Sequence, residues 1–259
     1  MFANLFQGQV ALLTGATSGI ALATAELLAA SGIKTLVING RNAQAGAAAL
    51  ERIRQASPAV EARFVQGDLR DAEFVETMCD SIIEENGKLD IFVHGGGGDI
   101  SPQLFVDIEP EHYRPLIDSH FTSLLYCCRA IAPAMIRQGA GAMVVIASDA
   151  GKIATVGESI IGAMKAASIM YARTLALELS RHQVRVNCVT PSLTVDTKAY
   201  ERIMSSDFSR RIFERATKRA KLGVPAPANV APIVAFLASS MASHITGQAV
   251  SVNGGISAA

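Results

Sequence analysis

Short apolar runs recur along the chain, each followed by a longer stretch with helical periodicity. "QVALLTG" (Gln9–Gly15) predicts a buried strand, and "SGIALATAELLAASG" a helix that ends at Gly32. "KTLVING" predicts a second strand, with an alanine-rich helix after it to about Ser57. "EARFVQGD" is the third, followed by a helix over about Asp71–Asn86, and "KLDIFVHG" is the fourth. A long helical stretch covers about Glu109–Gln138, and "GAMVVIAS" is the fifth strand. The next helix carries Lys165 and runs to about Arg181, before the sixth strand, "QVRVNCVT". Charged helices fill about Asp196–Lys221, a last helix spans about Asn229–Ser240, and "QAVSVNGG" is the seventh strand. Strands that are apolar throughout, without alternation, are buried on both faces, which fits a parallel sheet between helical layers. Strand–helix alternation of this kind predicts an α/β doubly wound fold with right-handed crossovers.

Composition narrows the setting. The 259 residues are 50% hydrophobic, enough for a large core, and they show no linker, repeat or low-complexity segment. No continuous apolar run reaches the roughly 18–20 residues of a membrane span, so no membrane association is expected. The start, "MFANLFQGQV", lacks a basic segment followed by an apolar stretch, so no secretory signal is expected either. Lysines and arginines are scattered and the formal net charge is +0, which argues against a nucleic-acid partner. Cys79, Cys127, Cys128 and Cys188 have no CxxC or metal-ligand spacing. Buried thiols in a reducing, cytoplasmic compartment, with no metal site, are the expectation.

The chemistry begins at "TGATSGIA" (Thr14–Ala21), a glycine-rich turn between the first strand and the first helix. At that place in a βαβ unit, backbone N–H groups and the helix dipole meet a pyrophosphate. Gly15 permits the tight turn and Gly19 the close approach.

With these residues in view, the chain resembles a short-chain dehydrogenase/reductase over nearly its full length. Thr14-Gly15-Ala16-Thr17-Ser18-Gly19-Ile20-Ala21 is similar to the family's TGxxxGIG, with Ala21 for the last glycine. "GDL" (Gly67–Leu69) resembles its adenine-contacting pair, and "VRVNCVTP" (Val184–Pro191) its RVNxxxPG, with Ser192 for the glycine. "ITGQAVSVNGG" (Ile245–Gly255) resembles its terminal strand. The resemblance implies a Rossmann-type sheet of about seven strands with helices on both faces. It implies one domain over residues 1–259, with a variable substrate lid at about 196–221. It places Gly15, Thr17, Ser18, Gly19, Ile20, Asp68, Leu69, Gly95, Gly96, Lys165 and Pro191 at a nicotinamide dinucleotide. An acid at the end of the second strand would hold the ribose 2′-hydroxyl of NAD. This chain has "NGRN" (Asn39–Asn42) there, and the planar fork of Arg41 suits a 2′-phosphate. NADP is therefore the expected cofactor, with NAD also compatible.

The resemblance also locates the catalytic register. The family's serine, which polarises a substrate carbonyl, corresponds to Ser148 in "VIASDAG". The tyrosine of its YxxxK pair should follow thirteen residues later, where this chain has Ile161; Lys165 keeps the lysine. The family's "NNAG" is here "HGGG" (His94–Gly97), and its helix-kinking asparagine falls at His120. A histidine there can donate a proton near neutral pH. Tyr113, seven residues before it, is expected to pack in the core, and Asp149 and Glu158 to be solvated loop carboxylates.

Three functions fit. The leading one is an atypical NADP-dependent oxidoreductase acting on a carbonyl or conjugated double bond of a small molecule, with Ser148, Lys165 and His120 as its catalytic groups. The others are a catalytically silent subunit paired with an active homologue, and a non-redox lyase or hydratase on the same scaffold. Apolar residues on more than one face of the helices around "LLYCCRAIAPAMI" and "IIGAMKAASIMYARTLAL" predict a homodimer or homotetramer, or a hetero-oligomer with an active homologue.

Overall fold

The computed structural model describes residue 2 and residues 4–97 and 101–259. The single-domain reading also covers residues 1, 3 and 98–100, which lie outside the described residues. Seven strands form one sheet: β1 (Val10–Thr14), β2 (Thr35–Gly40), β3 (Glu61–Gln66), β4 (Ile91–His94), β5 (Gly141–Ile146), β6 (Val184–Pro191) and β7 (Ala249–Val252). Their order is β3-β2-β1-β4-β5-β6-β7, and every pair is parallel. The chain thus winds outward from β1 in one direction and, after β3, from β4 in the other. A crevice opens between the C-terminal ends of β1 and β4, the switch point where such sheets bind ligands.

Helices cover both faces. α1 (Gly19–Ala30), α2 (Ala43–Ala56) and α9 (Pro227–Ala238) lie on one, while α3 (Ala72–Asn86), α5 (Ser123–Gln138) and α6 (Ser159–Ser180) lie on the other. Side chains alternate along each strand, so Ala11 and Leu13 of β1 join the first layer, and Val10 and Leu12 the second. Both sets are apolar because both faces are covered. Burying one leucine such as Leu12 contributes roughly 1.5–3 kcal/mol, so a polar residue on either face of β1 would be costly.

Three details depart from the expectations. The stretch before β5 is not one uniform α-helix: a 3₁₀ turn at Pro110–His112 leads into α4 (Tyr113–Ile117), a π-helical turn at Asp118–Thr122, and then α5. The π turn alters the helical phase between Tyr113 and His120. Tyr113 is half-buried and stacks on Phe105, with ring centroids 5.8 Å apart, rather than packing in the core. Finally, among the described residues α6 is long and apolar enough, by length and composition, to cross a membrane. In this fold it packs on β6, and it carries Lys165, Arg173 and Glu178. The lid region forms α7 (Lys198–Ser205) and α8 (Asp207–Arg219).

Candidate active site

The turn after β1 is built for close approach. Gly15 and Gly19 have φ of +60° and +59°, which glycine adopts without a Cβ penalty. A Cβ on Gly15 would sit 2.7 Å from the Gly95 carbonyl oxygen, so the turns after β1 and β4 leave no room for a side chain there. Ser18, the N-cap of α1, makes no side-chain capping bond, and Thr17, Ser18, Gly19 and Ile20 line the cleft. The first N–H groups of α1 need partners, and an anion in the cleft would provide them.

The cleft holds about 740 Å³, within the range of small-molecule and cofactor sites. Gly15, Thr17, Ser18, Gly19, Ile20, Arg41, Asp68, Leu69, Gly95, Gly96, Ser148, Lys165 and Pro191 all line it. They come from the C-terminal ends of six strands, β1 to β6, and from α6. Of the sequence-predicted residues, His120 is not on this wall. It is buried within the π turn, and its ring lies about 3.5 Å from where a Cβ of Gly97 would stand. Its neighbours Ser119 and Ser123 face the cleft instead.

At the β2–β3 end of the cleft, Asn39 closes β2 onto β3 by donating to the carbonyls of Val65 at 3.1 Å and Gly67 at 3.3 Å. Arg70, which pattern reading did not single out, forks onto Asp68, with its Nη2 at 2.6 Å from Oδ2. Arg70, and to a lesser degree Arg41, hold the Asp68 carboxyl below the usual carboxylate range. The sequence signal was only a two-residue spacing, which no helix or strand rule connects. Lys198, Tyr200 and Arg202 of α7 also line the cleft. Among the described residues, five cationic side chains (Arg41, Arg70, Lys165, Lys198 and Arg202) thus share the wall with one carboxylate, Asp68. The site favours an anionic ligand.

At the other end, Ser148 Oγ accepts from the Ala150 N–H at 3.2 Å, which leaves the hydroxyl proton for a ligand acceptor. The 3₁₀ turn after it, Asp149–Gly151, presses on α6: a Cβ on Gly162 would be 2.9 Å from the Ala150 oxygen, and one on Gly151 2.6 Å from the Lys165 carbonyl carbon. Ser148 and Lys165 are therefore held rigidly relative to each other. Lys165 is buried on the cleft wall, and burial lowers its pKa to about 8 against the opposing pull of Cys188 and Glu158. Among the described residues it has no salt bridge. His94 is neutral, its pKa lowered to about 3 by burial and then by Lys165, and its Nδ1 pairs with Thr14 Oγ1 at 3.0 Å.

The two nearby acids differ from their expected solvated state. Asp149 is buried; its Oδ1 accepts from Ser251 at 3.1 Å, and its Oδ2 from Ser257 at 2.6 Å and from Asn253. It straps the turn that carries Ser148 to the C-terminal segment, a long-range tie invisible in the local pattern. Glu158 is half-buried, and burial raises its pKa to about 7 although Lys165 pulls it down. Ile161 is half-buried on α6, one turn before Lys165. The four cysteines are free and buried; burial pushes Cys79, Cys128 and Cys188 up to about 12, and Cys127 well above its ordinary value.

A parallel sheet in this order, with an anion cradle at its switch point and a serine–lysine pair beyond it, defines a Rossmann-type dinucleotide-binding domain. The chain belongs to the short-chain dehydrogenase/reductase family of oxidoreductases. A family profile described as Enoyl-(Acyl carrier protein) reductase matches residues 15–257. The chain is 31% identical over 249 residues to the 3-oxoacyl-[acyl-carrier-protein] reductase of Synechocystis sp., covering 96% of each protein. It is 31% identical over 251 residues to the enzyme of that name from Escherichia coli, covering 97% of this chain and 98% of the relative. Among solved structures, an actinorhodin polyketide ketoreductase variant with NADPH superposes with a TM-score of 0.88 at 29% identity, covering 96% of this chain and 97% of that one. An NAD⁺-bound xylitol dehydrogenase gives a TM-score of 0.89 at 26% identity, covering 96% and 99%.

Proposed function

We propose that this chain is an NADP-dependent oxidoreductase that reduces a carbonyl or a conjugated double bond of a small molecule. The observation that carries this reading is Lys165: a buried lysine without a salt bridge, on the wall of a phosphate-cradling cleft and locked beside Ser148. A buried cation has a reason to exist where a ligand supplies its partners. The residues present fit a nicotinamide dinucleotide. Gly15 and Thr17–Ile20 would hold the pyrophosphate, Arg41 with Arg70 beside it the 2′-phosphate, Asp68 and Leu69 the adenine, and Lys165 the ribose next to the nicotinamide. Gly95, Gly96 and Pro191 would complete the wall. When bound, the cofactor supplies hydride. Ser148 would donate its hydroxyl proton in a hydrogen bond to the substrate oxygen, stabilising the charge that develops there.

An apolar rim lies near the start of α6, outside the residues that line the cleft. Leu104, Phe105 and Val106 are exposed on one segment, Ile153 and Val156 on another, and the two segments meet where Gln103 N–H donates to the Gly157 carbonyl at 2.9 Å. Such a rim supports a substrate with an apolar body, in keeping with the acyl substrates in the relatives' names.

Fluorescence titration with NADPH and NADH tests the cofactor. NADPH should bind at least about tenfold more tightly, and Arg41→Ala should erase most of that difference, because one well-placed charge contact is worth roughly a factor of ten. Equal affinity of the unaltered protein for both would remove the NADP assignment. Ile161 supports a second reading, a silent subunit working beside a tyrosine-bearing homologue. Tight NADPH binding with no turnover of any ketone or enone, and co-purification with such a homologue, would establish that reading instead.

A further inference from the structure

The family position of the proton-donating phenol holds Ile161, which has no proton to give, so another group must complete the reduction. We propose that Glu158 is the general acid of this site, a role that rests on the oxidoreductase reading above. Glu158 is the N-cap of α6, three residues before Ile161 and seven before Lys165. Those spacings put the three on one stripe of the helix. A Cβ on Gly157, the residue before Glu158, would lie 3.0 Å from Phe208 of α8 and 3.3 Å from Pro102, so the start of α6, the lid and the segment before Phe105 meet next to Glu158. The backbone there is fixed, with the Glu158 N–H donating to Thr155 O at 3.1 Å and its carbonyl accepting from Gly162 N at 2.6 Å. Glu158 is not among the residues lining the dinucleotide cleft, but it begins the helix that carries Lys165, which is.

Its electrostatic setting suits the task. The residues of the other two segments that pack on the adjacent Gly157, namely Pro102, Gln103 and Phe208, are uncharged. Lys165 is the charged group that bears on the carboxyl, and it favours the ionised form. Burial outweighs that pull and keeps the carboxyl protonated in part of the molecules at neutral pH, where a general acid works best. His120, the other candidate, is buried within the π turn behind Gly97, whereas Glu158 is half-buried.

In the reduction of a ketone, hydride reaches the carbonyl carbon from the reduced nicotinamide and forms the C–H bond. The C=O π pair moves onto oxygen, which takes the proton of the Glu158 carboxyl as the O–H bond of the acid breaks. The ketone is reduced to an alcohol, the dinucleotide is oxidised, and the Glu158 carboxylate regains its proton from water.

The test compares Glu158→Gln, Glu158→Asp and His120→Asn with the unaltered protein by three readouts: NADPH affinity, the pH profile of kcat, and a carboxyl-carbon NMR titration of labelled glutamate. One glutamate should titrate near pH 7 in the unaltered protein, and that signal should be missing in Glu158→Gln. Loss of a general acid should lower kcat by about 10²–10⁴-fold, with NADPH affinity unchanged and the fall of kcat above about pH 7 abolished. Glu158→Asp should keep part of the rate. Turnover by Glu158→Gln equal to that of the unaltered protein, or a loss seen in His120→Asn alone, overturns the assignment and leaves the oxidoreductase reading standing. An unaltered protein that binds NADPH and reduces no ketone or enone overturns both.

Discussion

Lys165 meets two opposing demands. Burial disfavours its charge, while the ribose it is proposed to hold calls for a cation. With its pKa lowered to about 8 from an ordinary 10.5, it is charged at neutral pH and neutral a little above it. Cofactor affinity should therefore fall as pH rises through about 8, and Lys165→Met should show weak binding without that step. The sign for stability is the reverse. The unfolded chain binds the proton more tightly between about pH 8 and 10.5, so the penalty of the buried charge is present in full below 8 and relieved as pH rises through that window. Thermal unfolding at pH 7.5 and 9.5 should show Lys165→Met gaining more over the unaltered protein at the lower pH. Ile161 allows a direct test of the missing phenol. It sits beside the turn of Ser148 and one helical turn from Lys165, the two groups a tyrosine would need. In the Glu158→Gln background, Ile161→Tyr should raise the rate of simple ketone reduction by about 10²-fold or more. No gain in single-turnover NADPH oxidation would mean that Ser148 and Lys165 are not set for that chemistry.

The helices and strands were legible where burial writes a local pattern. β1 and β5 are apolar on both faces because helices cover both, and that makes them stand out as unbroken runs. The cradle was legible for a similar reason, since Gly15 and Gly19 mark backbone that other residues adopt poorly. What escaped the pattern depends on distant partners or on hydrogen-bond register. The π turn at Asp118–Thr122 changes how backbone groups pair without changing the spacing of apolar residues, so the helix reads as continuous. Asp149 reads as a loop acid because Ser251, Asn253 and Ser257, which hold it, lie about a hundred residues away. Asp149→Ala would leave these donors short of an acceptor and should cost roughly 2–5 kcal/mol of stability in chemical denaturation. Gly15→Val should act on the ligand too. Its side chain would meet the Gly95 oxygen at 2.7 Å in a left-handed backbone, with a strain of order 1–3 kcal/mol. NADPH binding should be lost beyond detection in a titration while the circular-dichroism spectrum stays that of the unaltered fold.

At the scale of the whole molecule, the outward side of α6 raises the question of assembly. Its inner side is committed to the core through Ile169, Ala172, Leu175, Ala176 and Leu179. Its outer side presents Met170, 59% exposed, and Leu177, 78% exposed, seven residues apart and so on one stripe. Arg173, Thr174 and Glu178 flank them. An apolar stripe rimmed by charges on a long helix is the surface that a two-fold axis covers with its own copy, because the same patch then serves both partners. We expect the chain to form a dimer or tetramer in which α6 packs against its symmetry mate. The consequence for the site follows from the geometry of α6: it carries Lys165 on the cleft wall and the proposed acid Glu158 at its start, so fixing its outer face would also steady them. Light scattering at micromolar concentration should give at least twice the chain mass. Leu177→Asp places a charge at the centre of the stripe and should shift the protein to monomer, with a fall in kcat larger than any change in NADPH affinity. A monomeric unaltered protein, or a Leu177→Asp variant with unchanged mass, would rule out this face as the interface.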